Sequence, residues 1–253
     1  MCFDTDALPP DPARTGLGAG AQETTTLTAD DGNRLAAAVA RTTETAPAGV
    51  VLIPDVRGLH GYYERLAEHL ADAGVPAVVI DPYGRTAGAE RRGDDFDHGP
   101  HREAVRDEGL RADVRAGAEA VRGLGVSAVA TMGFCFGGRG SLMQASQEGV
   151  DGVIAFYGPP TAPGDTGAAP IDEARQGLVR AAVLGLYGGA DRGIPEDDVR
   201  AYEKALEEAE VNHRIVVYPD APHSFFDRKM TDFADDCRDA WARVLGFVDS
   251  LGR

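Results

Sequence analysis

The sequence predicts an α/β fold: a mostly parallel sheet with helices on both faces and an antiparallel N-terminal hairpin. Three observations carry this. Short, continuous apolar runs recur, as in GVVLIPD (residues 49–55), PAVVIDPYG (76–84), GVIAFYG (152–158) and AAVLGLYG (181–188), and such runs suit strands buried on both faces. Segments of helical period separate them, the alternation that builds a parallel sheet. Near the N-terminus, ETTTLT (23–28) and LAAAVAR (35–41) flank the turn signal DDGN, which reads as a hairpin.

Taken in order, residues 1–21, rich in Pro, Gly, Ala and Asp, predict an irregular arm ahead of one domain spanning 22–253. The hairpin comes first and the strand at 49–55 second. YYERLAEHLADA (62–73) then places Leu66, Leu70 and Ala73 on one helical face, with Gly74 as a stop. After the strand in 76–84, the charged, glycine-rich stretch 85–100 predicts a long surface loop or lid. A helix follows from about 103 to 122, a strand at 127–132 and a helix at 138–147. Strands at 152–158 and 181–188, a helix at 195–209, a strand at 213–219 and a closing helix at 231–251 complete the chain. In such sheets ligands bind beyond the carboxyl ends of the strands.

The 253 residues are 43% hydrophobic, enough to fill a sizeable core. Lys and Arg number 25 against 41 Asp and Glu, a net charge of −16. That excludes a nucleic-acid partner, which needs a basic patch. Cys2, Cys135 and Cys237 lack the paired spacing of a disulfide framework or a zinc site. The segment MCFDTDALPPDPARTG has no positive n-region and no apolar h-region, and no run approaches the ~18 apolar residues of a membrane span. The expectation is a reduced, cytoplasmic protein with no metal, no cofactor and no membrane partner, acting on a small molecule.

The chemistry concentrates in TMGFCFGGRG (131–140). Gly133-Phe134-Cys135-Phe136-Gly137 fits G-x-nucleophile-x-G, the tight strand–turn–helix elbow that lifts one side chain above a sheet. Glycines flank it because a Cβ there would meet the neighbouring strand or helix. The helix that follows turns its first N–H groups toward the sulfur. The N–H of Phe136 is placed to donate to an oxyanion. A small buried cysteine beside a packing turn is the plainer alternative. A nucleophile needs a base, and the base an orienter, in the chain order nucleophile, acid, histidine. Asp191 in LYGGADRGIP and His223 in YPDAPHSFF fulfil that order, each just past a strand. Asp220 competes as the acid but shares the histidine's own loop. His60, His69, His98, His101 and His213 compete as the base, with His69 and His213 placed on the surface by their elements.

VVLIPDVRGLHGYY, VVIDPYGRT, MGFCFGGR, LYGGADRGIP and APHSFF, in that order, resemble the dienelactone hydrolase family of the α/β-hydrolase fold over roughly residues 23–251. The resemblance implies an ester or lactone hydrolase in which Cys135 attacks the carbonyl, His223 is base and then acid, and Asp191 orients it. It implies Val56 N–H as the second oxyanion donor. It also implies an acidic residue at the strand end that activates the thiol. That residue is glutamate in the family pattern and Asp55 here, one methylene shorter. Two arginines that hold a substrate carboxylate map onto Arg228 and onto the lid stretch, where Arg85, Arg91, Arg92 and Arg102 compete and Arg85 is taken as the candidate. Tyr83 is a candidate pocket residue. Three other readings share these residues: a thiol-dependent acyltransferase or thioesterase, a non-catalytic ligand-binding relative, and a redox switch at Cys135.

Overall fold

The computed structural model describes residues 19–227 and 229–253, so most of the expected arm, Cys2 and Arg228 lie outside the described residues. The strands are β1 (Ala19–Thr28), β2 (Arg34–Thr42), β3 (Ala48–Ile53), β4 (Ala77–Ile80), β5 (Ala128–Phe134), β6 (Gly152–Phe156), β7 (Ala182–Gly188) and β8 (His213–Tyr218). The helices are α1 (Gly61–Asp72), α2 (Gly84–Ala87), α3 (His98–Ala104), α4 (Asp107–Arg122), α5 (Phe136–Leu142), α6 (Pro170–Arg175), α7 (Glu196–Glu208) and α8 (Ala234–Leu251). They form the expected architecture, an α/β-hydrolase-like sheet in the order β1-β2-β4-β3-β5-β6-β7-β8. The β1–β2 and β2–β4 pairs are antiparallel and the rest parallel. β1 begins at Ala19, inside the stretch expected to be irregular.

Alternate residues of each central strand feed opposite cores, because successive side chains point to opposite faces. Val50, Leu52, Val79, Met132 and Ile154 join one cluster with Leu66 and Leu70 of α1 and Trp241 and Val244 of α8. Val51, Ile53, Val78, Ile80 and Val129 join the other with Leu110, Val114 and Val121 of α4. Burial on both faces explains why the strands read as unbroken apolar runs. The chain leaves β3 for β4 on one side, then returns to place β5 on the other. The C-terminal ends of β3 and β5 therefore meet at a topological switch point, where such sheets open a crevice.

The stretch expected to be a long loop or lid is more ordered than its composition suggested. It holds α2 and the start of α3, and its middle is fastened by Arg92, which is only 6% exposed. The Arg92 guanidinium bonds Asp81 at the end of β4 (2.7 Å) and the carbonyls of Ala87 and Gly88, and lies 4.9 Å from the Phe96 ring centroid. Asp81 in turn accepts from the N–H of Leu59 and of Tyr83. A buried, fully hydrogen-bonded ion pair of this kind is a structural rivet: removing one partner strands the other charge. Sequence patterning also missed α6, a six-residue helix too short to show a period.

Candidate active site

The elbow is built from steric necessity. A Cβ on Gly133 would lie 1.9 Å from the carbonyl oxygen of Gly137, and one on Gly137 would lie 2.2 Å from that of Ile53. No side chain fits either position, so α5 presses against the ends of β3 and β5. Between them Cys135 takes φ 55 and ψ −111, a strained conformation for a residue with a Cβ. Its N–H is held by the carbonyl of Phe156 (3.0 Å) and its C=O by the N–H of Arg139 (3.0 Å). The turn thus projects the sulfur into a half-exposed position. α5 starts at Phe136, directly after the sulfur, two residues earlier than sequence spacing suggested.

The two other triad candidates converge on this point. His223 Nδ1 bonds Asp191 Oδ2 at 2.6 Å. The other Asp191 oxygen accepts from the N–H of Gly193 (2.8 Å), and the carboxylate is buried. Cys135 is the other group that raises His223. Burial works against a charged imidazole here, but the bond to Asp191 and the influence of Asp191 and Cys135 outweigh it, and His223 is pushed up to about 10. Asp220, the competing acid, is exposed. The other histidines have different tasks. His60 is buried, caps α1 by accepting from the N–H of Tyr62, and is held neutral, pushed down to about 3 by burial and by Arg57, Arg65 and Arg91. His101 pairs with Thr86 and His213 with the carbonyl of Val211.

At the end of β3, Asp55 is buried and shapes a turn. Its Oδ1 accepts from the N–H of Arg57 (2.9 Å), its carbonyl from the N–H of Gly58 (3.1 Å), and its own N–H donates to the Tyr63 hydroxyl (2.9 Å). The Arg57 and His60 side chains each lie 3.9 Å from Oδ1. Tyr83 is buried beneath this turn, its hydroxyl donating to the carbonyl of Val56 (2.7 Å) and its ring stacking 6.4 Å from that of Phe136. It therefore touches both segments expected to supply oxyanion donors. Phe225 and Phe226, just past His223, are fully buried against Phe156 and anchor the histidine loop. Cys237 is a buried packing residue whose Sγ donates to the carbonyl of Phe225, and burial pushes its thiol up to about 12.

The structure gives Arg85 a different setting from the one expected. Its guanidinium is shared between Asp113, which is buried, and Asp31 in the β1–β2 turn, tying α2 to α4 and to the hairpin. Arg91 pairs with Glu64 and Arg139 with Asp107. Arg85→Ala should therefore lower stability by about 2–3 kcal/mol, because Asp113 loses its buried counter-charge. Urea unfolding would measure this. A rise in KM confined to carboxylate-bearing esters would instead place Arg85 at the substrate.

The model of the dienelactone hydrolase family matches residues 35–251. The chain belongs to the dienelactone hydrolase family. This dienelactone hydrolase family member is 30% identical over 214 residues to the Escherichia coli O157:H7 protein named "Putative carboxymethylenebutenolidase", covering 80% of this chain and 77% of that one. The Salmonella typhimurium protein of the same name is 31% identical over 216 residues, at 80% and 77%. Among solved structures, the "Putative Dienelactone Hydrolase" of Klebsiella pneumoniae superposes with a TM-score of 0.75 at 27% identity, covering 90% of this chain and 98% of that one. Membership makes the chain a hydrolase of the ester and lactone class. Among the described residues, no helix is long and apolar enough to cross a membrane.

Proposed function

We propose that this family member hydrolyses small activated carboxylic esters and lactones through a covalent thioester on Cys135, with His223 and Asp191 completing the triad. The observation that carries it is the position of His223, whose Nδ1 bonds Asp191 at 2.6 Å and whose charged form is favoured by both Asp191 and Cys135.

An imidazole pushed up to about 10 holds its proton across neutral pH, and in this reading the attacking species is the Cys135 thiolate beside it. The sulfur attacks the carbonyl carbon, and the C=O electron pair moves onto oxygen. In this reading the N–H groups of Phe136 and Val56 receive that oxyanion. Collapse breaks the C–O bond, and the leaving alkoxide takes the proton from His223. The imidazole, now neutral, accepts a proton from water as the water attacks the thioester. The second collapse expels thiolate, releases the carboxylic acid and restores the ion pair. Asp55 shapes the turn that presents Val56, and activation of the sulfur runs directly through His223.

A thiolate is expelled from a tetrahedral intermediate more readily than an amine. Activated esters and enol lactones escape that limit and amides do not. Full alkylation by iodoacetamide, located on Cys135 by mass spectrometry, should therefore abolish hydrolysis of p-nitrophenyl acetate. Turnover that survives complete labelling of Cys135 would overturn the covalent route. With unlabelled protein, kcat/KM should fall as pH rises through about 10, where the imidazolium loses the proton the leaving group needs.

A further inference from the structure

We propose that Tyr157 is a positioning residue for His223, backing the imidazole with its ring and held there by a hydrogen bond to Asp227. The inference rests on the triad reading above and adds to it a contact between β6 and the histidine loop.

Tyr157 stands directly after β6, next to the residue whose carbonyl holds the Cys135 N–H. Its backbone has φ 39, one of four non-glycine residues with positive φ among those described. A left-handed conformation at a residue with a Cβ costs about 1–2 kcal/mol and persists only where its surroundings enforce it. Here the N–H of Tyr157 donates to the carbonyl of Leu186 on β7 (2.9 Å), which turns the chain across the end of the sheet. The ring then meets that of His223 at a centroid distance of 5.0 Å and an interplanar angle of 55°. Asp191 already holds one edge of the imidazole. A tilted ring packed this close restricts the remaining rotation about χ2, which decides whether Nε2 reaches the sulfur.

The far end of Tyr157 is fixed as well. Its hydroxyl donates to Asp227 Oδ2 at 2.6 Å, and Asp227 is 2% exposed. Asp227 lies four residues after His223 on the same loop. The loop thus grips, through its own carboxylate, the side chain that backs its own histidine. Tyr62 and Tyr63 of α1, Tyr157 itself and Cys237 of α8 are among the titratable groups that face Asp227. Those facing His223 are Asp191 and Cys135. A buried carboxylate is costly unless hydrogen-bonded, and the Tyr157 hydroxyl supplies one such bond at 2.6 Å. Asp227 therefore holds the Tyr157 hydroxyl firmly.

The test compares Tyr157→Phe and Asp227→Asn with the unmodified full chain and with Cys135→Ala, using p-nitrophenyl acetate. Tyr157→Phe keeps the ring and loses the tether. It should lower kcat at least tenfold with KM within threefold. It should also move the alkaline limb of the kcat/KM profile down by at least half a pH unit, because an imidazole less well aligned with Asp191 loses part of the bond that raises it. Asp227→Asn, whose amide oxygen still accepts from the hydroxyl, should shift both quantities less and in the same direction. It carries the test if Tyr157→Phe does not fold. Kinetics within twofold of the parent and an unmoved alkaline limb would overturn the inference, as would a loss confined to melting temperature. If Cys135→Ala is inactive while Tyr157→Phe is normal, only the role of Tyr157 fails; if Cys135→Ala retains full turnover, the triad reading fails.

Discussion

Replacing Cys135 with alanine is expected to lower kcat for p-nitrophenyl acetate by about 10⁴-fold or more, since removing a nucleophile removes the whole covalent route and leaves only binding and oxyanion stabilisation. The fold should survive. Cys135 is half-exposed, and its conformation is imposed by the backbone bonds to Phe156 and Arg139, which alanine keeps. Melting temperature within a few degrees of the parent, together with lost turnover, is the expected pair of results. Stopped-flow measurement should show a burst of p-nitrophenol in the parent where deacylation is slower than acylation, and none in the variant. Alanine protein that turns over at the parental rate would remove the thioester from the mechanism. Serine in place of Cys135 tests the same point more finely. A hydroxyl holds its proton, so the pair with an already protonated His223 no longer forms, and most activity should be lost although the side chain is nearly the same size.

Asp191→Asn is expected to be the second most damaging change, with a loss in kcat of about 10²–10⁴-fold. The amide is nearly isosteric, but it removes the negative charge and presents a donor or an acceptor according to its flip, so it can stabilise the wrong tautomer. Burial opposes charge on His223, and the bond to Asp191 is the leading contribution raising it. Without the carboxylate the imidazole should therefore titrate well below its value of about 10, which NMR of the ring protons can follow. The stability linkage has a definite sign. A group raised from its ordinary value of 6.5 to about 10 on folding contributes stability that is fully present below 6.5 and is lost as pH rises through about 10. The parent should thus lose stability between pH 6.5 and 10 more steeply than Asp191→Asn. Equal slopes in urea unfolding at pH 6 and pH 9.5 would show that the carboxylate does not govern His223.

Much of this was legible before any coordinates. The apolar runs of β3, β5, β6 and β7 are what strands covered on both faces require, and the glycines around Cys135 mark a turn with no room for side chains. Asp191 and His223 could be named because each follows a strand, and strand ends are where a parallel sheet gathers its chemistry. Arginine was where local pattern failed. Arg85 and Arg92 look alike in the charged stretch 85–100, yet Arg92 is a buried rivet on Asp81 and Arg85 is shared by Asp113 and Asp31. Their partners lie 11, 28 and 54 residues away in sequence, beyond the reach of any periodicity. Tyr157 was equally invisible, since an aromatic residue after a strand usually signals packing, and only the approach of the histidine loop gives its hydroxyl a buried carboxylate.

By itself the sequence determined the sheet, the glycine-bounded turn at Cys135 and the placing of Asp191 and His223 just past strands, because these follow from short-range patterns of apolarity, glycine and turn chemistry along the chain. Only the tertiary structure decided what each charged and aromatic side chain is paired with. The free energy of a charge or a hydroxyl depends on its burial and on the groups within a few ångströms, and those groups are brought together by folding from distant parts of the chain.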